Sequence, residues 1–240
     1  MILYGKNSVL ERLRADPGSI KKIFLLDTFS SPETEDLIGK NKIPLERLPQ
    51  RGLSNLKGAK DLQGIVARVG KFEYLPFNSM LEDAFEKKAT IVFLDRINDP
   101  QNLGSIMRIL ACFGGFRACI PKFEACDVTD AVLHVASGGE NYVPLAKVPN
   151  LSNAIITAKD RGLWIAGATA LEGAEDIYNA RLPFPLGLVL GSEGKGIRHG
   201  IQKRLDIRVH IPMAGAKLSF NVSTACAIFC HEISRQRRVT

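Results

Sequence analysis

Two rhythms of apolar residues run along this chain. In "SVLERLRAD" the apolar positions Val9, Leu10 and Leu13 fall at the spacing of one helix face, and Pro17 sets the limit of that helix. "IKKIFLLD" (Ile20–Asp27) and "GIVARVG" (Gly64–Gly70) are apolar runs of strand length. Between them the pattern predicts a helix around Glu33–Gly39, a short strand over Ile43–Leu48 and a helix near Leu53. Residues 1–70 therefore read as a small α/β sandwich. "KFEYLPFN" (Lys71–Asn78) interrupts the pattern and reads as a linker. Ser79, with Glu82 three residues later, has the spacing of a capping box and predicts a leading helix from Ser79 to about Lys88.

From Thr90 onward the alternation is regular. "IVFLD", "RACIP", "WIAGATA", "LGLVLGS" and "RVHIPM" are five strand candidates separated by stretches of helical period. Nearly continuous apolar strands alternating with helices imply a mostly parallel sheet covered on both faces. Ligands of such sheets sit at the carboxyl ends of the strands. The rule directs attention to Asp95–Asn102, Ala168–Ala170, Gly191–Gly196 and Pro212–Asn221.

Composition narrows the class. The 240 residues are 45% apolar and 24% charged, as in an ordinary globular protein of one or two domains. Apolar runs such as Ile91–Leu94 and Leu186–Leu190 are too short to span a bilayer. The opening "MILYGKNSVLERL" lacks the apolar stretch of a signal peptide, so the expectation is a cytoplasmic protein without a membrane partner. The five cysteines are odd in number and sit mostly in apolar context, as reduced thiols do. "CAIFCHE" gathers Cys226, Cys230 and His231, but no second cluster has ligand spacing, so no metal is expected. A net charge of +7 points to an anionic partner, most often nucleic acid.

Three clusters stand at the strand ends. In "DRINDPQNLGSIMRIL", Asp99-Pro100 ends the strand, and Asn102, Ser105 and Arg108 follow at three-residue steps on the next helix. Gly104 weakens that helix by about 1 kcal/mol, which close packing or ligand approach would justify. A solvated polar face would look the same. "LVLGSEGKGI" is no Walker loop, since Gly196 follows Lys195, and its glycine order does not fit the dinucleotide fingerprint. Glu193 at its centre would repel a phosphate and suits a donor-rich or cationic ligand. In "IPMAGAKLSFNVSTACAIF", Ser219, Asn221, Ser223 and Thr224 open a helix whose later part is apolar, as simple caps also do.

Taken together, "NDPQNLGSIMR", "LVLGSEGKGI" and "IPMAGAKLSFNVSTACAI" resemble, in order and spacing, motifs 1 to 3 of the SpoU (TrmH-type) RNA ribose 2′-O-methyltransferases of the SPOUT superfamily. "YGKNSVLERL" and "LQGIVARV" look like that family's L30e-like RNA-binding domain, a combination most similar to bacterial 23S rRNA guanosine 2′-O-methyltransferases. The resemblance implies an L30e-like α/β sandwich (1–70), a linker and leading helix (71–88) and an α/β-knot methyltransferase domain with a deep trefoil knot (89–240). It implies a homodimer and S-adenosyl-L-methionine as cofactor, held by Thr169, Leu190, Gly191, Ile211, Met213, Ser219 and Phe220. The reaction-bearing residues it implies are Asn102, Arg108, Glu193 and Asn221, with Glu193 and Asn221 orienting Arg108 and the glycine loop. A sulfonium is cationic, so Glu193 is no obstacle to this ligand. The chain departs from the pattern at Phe220, where leucine is usual, and at Leu62, where "HQGI" is common. Alternatives are a tRNA ribose 2′-O-methyltransferase, or a ribosomal-RNA-binding protein without catalysis, against which the four polar positions stand. A dinucleotide-dependent oxidoreductase lacks its G-x-G-x-x-G after the first strand.

Overall fold

The computed structural model describes residues 1–58, 61–216 and 218–238. Its first part is a four-stranded sheet in the order β1-β4-β2-β3, built from β1 (Ile2–Tyr4), β2 (Ile20–Leu26), β3 (Leu45–Leu48) and β4 (Ile65–Val69). β4 pairs antiparallel with β1 and β2, while β3 runs parallel to β2. Period-two alternation along β2 sends Ile23 and Leu25 to one face and Phe24 to the other. The first face is covered by α1 (Lys6–Ala15) and α2 (Pro32–Lys40), the second by α3 (Gln50–Leu56). The sandwich pattern is present, with β1 added at the edge.

The second sheet has seven strands in the order β7-β6-β5-β10-β8-β11-β9, and every pairing is parallel. They are β5 (Thr90–Asp95), β6 (Phe116–Pro121), β7 (Leu145–Val148), β8 (Trp164–Ala168), β9 (Glu175–Asp176), β10 (Leu186–Gly191) and β11 (Ile207–His210). β7 and β9 come in addition to the five runs read from the pattern. Val92 and Leu94 of β5 pack with α5 (Pro100–Phe113), α6 (Asp130–Ala136) and α9 (Val222–Arg237). Ile91 and Phe93 face the other way, onto α4 (Phe77–Glu86) and α7 (Leu151–Asp160). A short α8 (His199–Gln202) precedes β11. No helix among the described residues is long and apolar enough to cross a membrane.

The capping box is corrected. α4 starts at Phe77 with Pro76 as its cap residue, so Ser79 lies inside the helix and makes no side-chain cap. Phe77 packs on the second core cluster, 6.3 Å from the Phe93 ring, and that burial carries the cap three residues earlier, from Ser79 to Pro76. The segment before α4 is also tied down: Tyr74 Oη donates to Asp127 at 2.7 Å, and the Leu75 amide donates to the Leu145 carbonyl at 2.9 Å.

The two sheets meet through α6 and the turn after it. The Ile2 amide donates to Asp130 Oδ1 (3.1 Å), Lys57 pairs with Asp130 Oδ2 (2.7 Å), and the Tyr4 ring stacks on His134 at 4.1 Å. Arg12 pairs with the buried Glu140 at 3.3 Å, where burial pushes the Glu140 carboxyl above its ordinary range. One apolar cluster extends from Leu3 and Val9 through Leu133 to Leu188 and Phe229.

Candidate active site

Three strand ends build the site, and the backbone of β10 and β5 sets their register. Gly191 lies opposite Asp95 at the carboxyl ends of these neighbours. After Gly191 the chain doubles back: the Gly196 amide donates to the Ser192 carbonyl (2.9 Å), and the Lys195 amide to the Glu193 carbonyl (2.9 Å). A Cβ on Gly191 would stand 2.2 Å from the Gly196 carbonyl carbon, so only glycine fits beneath this loop. Gly194 and Gly196 take φ of 76° and 61°, the left-handed region that glycine enters without penalty.

The loop is clamped to β5 by a charge pair that the sequence did not reveal. The Asp95 side chain is fully buried; it accepts the Arg198 amide at 2.8 Å and Arg198 Nε at 2.7 Å. Arg96, in a left-handed conformation at φ 61°, donates Nη2 to the Gly196 carbonyl at 3.2 Å. No local spacing announces a contact between residues more than a hundred positions apart.

Asn102 comes from the first turn of α5, whose start is set by Asp99 accepting the Gln101 amide (2.9 Å) and by Pro100 in the first helical position. Asn221 is the cap of α9, its Oδ1 accepting the Ser223 amide at 2.8 Å and the Ser223 hydroxyl at 2.6 Å. The side chains of both converge on Glu193. Asn102 Nδ2 donates to Glu193 Oε1 at 3.1 Å, and Asn221 Nδ2 donates to Asn102 Oδ1 at 2.9 Å and to Glu193 Oε1. Glu193 Oε2 takes no part in this triangle. The triangle borders a cavity of about 180 Å³ lined by Arg96, Asp99, Asn102, Ser192 and Glu193, among others.

Arg108 is elsewhere. It follows Asn102 by six residues, which places it about 9 Å along α5 and about a third of a turn away. It lines a second cavity, of about 430 Å³, with Asn7 and Glu11 of α1, Cys112, Gly138, Gly139 and Tyr142. Glu193 and Asn221 therefore do not orient Arg108 within one chain, as the motif resemblance implied. The shared face proposed for Asn102, Ser105 and Arg108 fails for the same geometric reason, since Asn102 is buried and Arg108 exposed. Gly104 is explained by packing: its Cβ would lie 2.7 Å from Val135 Cβ on α6.

The other positions lie along the carboxyl rim of β10, β8 and β11. Leu190 is buried within β10. Thr169 directly follows β8, half-buried, its amide donating to the Val209 carbonyl of β11 at 3.0 Å. Ile211 directly follows β11 and packs against the core. Beyond it, Met213 and Phe220 are 44% and 45% exposed, and Ser219 is exposed too. Cys226 and Cys230 are buried, with their Sγ atoms 3.8 Å apart.

With the geometry in place, comparison with known proteins decides the family. The model of the SpoU rRNA methylase family matches residues 89–231, and a model described as RNA 2′-O ribose methyltransferase substrate binding matches residues 2–75. The chain belongs to the SpoU rRNA methylase family. It is an RNA ribose 2′-O-methyltransferase. A 23S rRNA (guanosine-2′-O-)-methyltransferase RlmB of Pseudomonas putida is 34% identical, with 99% of this chain and 97% of that protein covered. The RlmB of Photobacterium profundum is 32% identical over 99% of this chain and 98% of its own length. The crystal structure of the SpoU methyltransferase AviRb from Streptomyces viridochromogenes superposes with a TM-score of 0.83 at 20% identity. That superposition covers 100% of this chain and 91% of AviRb, and it shows the shared SpoU fold.

Proposed function

We propose that this SpoU methylase transfers the methyl group of S-adenosylmethionine to the 2′-hydroxyl of a guanosine ribose in 23S ribosomal RNA. The observation that carries the reading is the Asn102–Glu193–Asn221 triangle, which joins all three strand-end motifs at one carboxylate. The full-length likeness to proteins named as 23S rRNA guanosine methyltransferases supports the substrate.

S-adenosylmethionine supplies an electrophilic methyl group on a sulfonium. Thr169, Leu190, Gly191, Ile211, Met213, Ser219 and Phe220 would hold it, the apolar Met213 and Phe220 against its adenine. Glu193, with Oε1 committed to two amides, keeps Oε2 to accept a hydrogen bond from the ribose hydroxyl. Methyl transfer is an in-line displacement in which positioning dominates, and the hydroxyl must release its proton. A guanidinium makes a poor base, so Arg108 is assigned to holding the target phosphate and ribose. Because Arg108 opens on a cavity apart from the triangle, a homodimer in which Arg108 of one copy serves the triangle of the other fits this division.

Purified protein, methyl-labelled S-adenosylmethionine and in-vitro-transcribed 23S ribosomal RNA or tRNA test the reading together. Label on one guanosine of the 23S transcript, in an alkali-resistant dinucleotide, is the expected result. Label on tRNA alone would move the substrate, and label on a base would overturn ribose chemistry.

A further inference from the structure

The carboxyl end of β6 displays an aromatic ring that neither the core nor the methyl-transfer site uses. Phe123 is 64% exposed, and Lys122 Nζ lies 5.5 Å from the centre of its ring. The next residue, Glu124, holds a left-handed backbone at φ 56°, a conformation that side chains other than glycine rarely adopt. This turn is tethered: Arg198 Nη1 donates to Glu124 Oε2 at 3.2 Å, and Arg198 is itself anchored on buried Asp95. β6 is the immediate neighbour of β5, at whose carboxyl end the cavity beside Glu193 opens. An exposed ring, a cation beside it and a strained, anchored turn thus stand one strand away from the reaction centre.

We propose that Phe123 and Lys122 form a platform for RNA near the methylated ribose, Phe123 stacking on an unpaired nucleobase and Lys122 meeting the adjoining phosphate. Unstacked bases are commonly bound on aromatic side chains, with cations following the backbone. A protein partner fits less well, because Phe123 is flanked by Lys122 and Glu124, and charged residues are depleted at the centre of protein interfaces. The proposal rests on the reading of this chain as an RNA ribose methyltransferase.

The test compares wild type with Phe123→Ala, Phe123→Leu and Phe123→Trp on in-vitro-transcribed 23S ribosomal RNA and on unmodified tRNA. Each protein is assayed for KM and kcat, for direct RNA affinity, for S-adenosylhomocysteine affinity, and for oligomeric state by light scattering. Phe123→Ala and Phe123→Leu should weaken RNA binding and raise the RNA KM about tenfold, the scale of one lost base stack. Phe123→Trp should stay near wild type, and cofactor affinity should not move. RNA affinity unchanged in Phe123→Ala, or equal in Phe123→Leu and wild type, would overturn the platform. So would a change of oligomeric state in Phe123→Ala, which would make Phe123 a contact between copies. A wild type that transfers no methyl group would count against the enzymatic reading, while the direct affinities would still judge Phe123.

Discussion

Asn221 occupies the point where two hydrogen-bond systems meet. Its Oδ1 caps α9 and its Nδ2 holds Glu193 and Asn102. Two substitutions separate these roles. Asn221→Ala loses both, and loss of the cap alone costs about 1 kcal/mol, a fall in Tm of about 2–4 °C at this size. Asn221→Asp keeps the cap, since an anion suits a helix N-terminus, but sets a second carboxylate against Glu193. Calorimetry should therefore find Tm lowered in both variants, by the lost cap in Asn221→Ala and by carboxylate repulsion in Asn221→Asp, and both should lose most methyl transfer. Full turnover by Asn221→Asp would show that the amide donor is dispensable. The three members of the triangle could be located from the chain because each follows a strand-like run and sits in a distinctive motif. What those motifs left hidden was direction along the helix: a three-residue spacing drifts around an α-helix, so Asn102 and Arg108 part company after two steps.

At the scale of elements, the glycine loop owes its position to β5 as much as to its own glycines. Asp95 is the last residue of β5, fully buried, and holds Arg198 by two hydrogen bonds. Asp95→Asn keeps the shape but removes the charge, and weakening hydrogen bonds to a charged group costs about 2 kcal/mol. The expected outcome is a lower Tm together with a raised KM for S-adenosylmethionine, because the loop carrying Glu193 loosens. A lowered Tm with an unchanged KM would confine Asp95 to stability. This clamp was illegible in the sequence, since an aspartate ending an apolar run looks like an ordinary strand terminus. β1 and β7 were missed for a related reason. They have three and four residues, too few for alternation to register, and they exist because β4 and β6 offer them backbone partners. The start of α4 was displaced by three residues because Phe77 is drawn against the core, a tertiary effect that outweighed a weak local capping signal. The strands of the parallel sheet were legible because burial on both faces writes them as continuous apolar runs.

Across the whole molecule, the two sheets share an apolar cluster and are joined by Asp130, His134 and Glu140, so the first lobe is docked on the second. Arg108 lies at that junction, in the cavity it shares with Asn7 and Glu11, while the triangle lies at the strand ends. The proposed dimer, in which Arg108 of one copy serves the triangle of the other, is tested most directly by mixing two inactive variants. Arg108→Ala and Glu193→Ala, differently tagged, are assayed alone and after co-expression on 23S ribosomal RNA with S-adenosylmethionine. Each alone should be nearly inactive. In a random mixture of a two-fold symmetric dimer, half the dimers are mixed and one of their two sites is intact, so about a quarter of wild-type activity should return. A verified mixed dimer with no more activity than its parents would contradict the shared site and place Arg108 either within its own chain's chemistry or outside it.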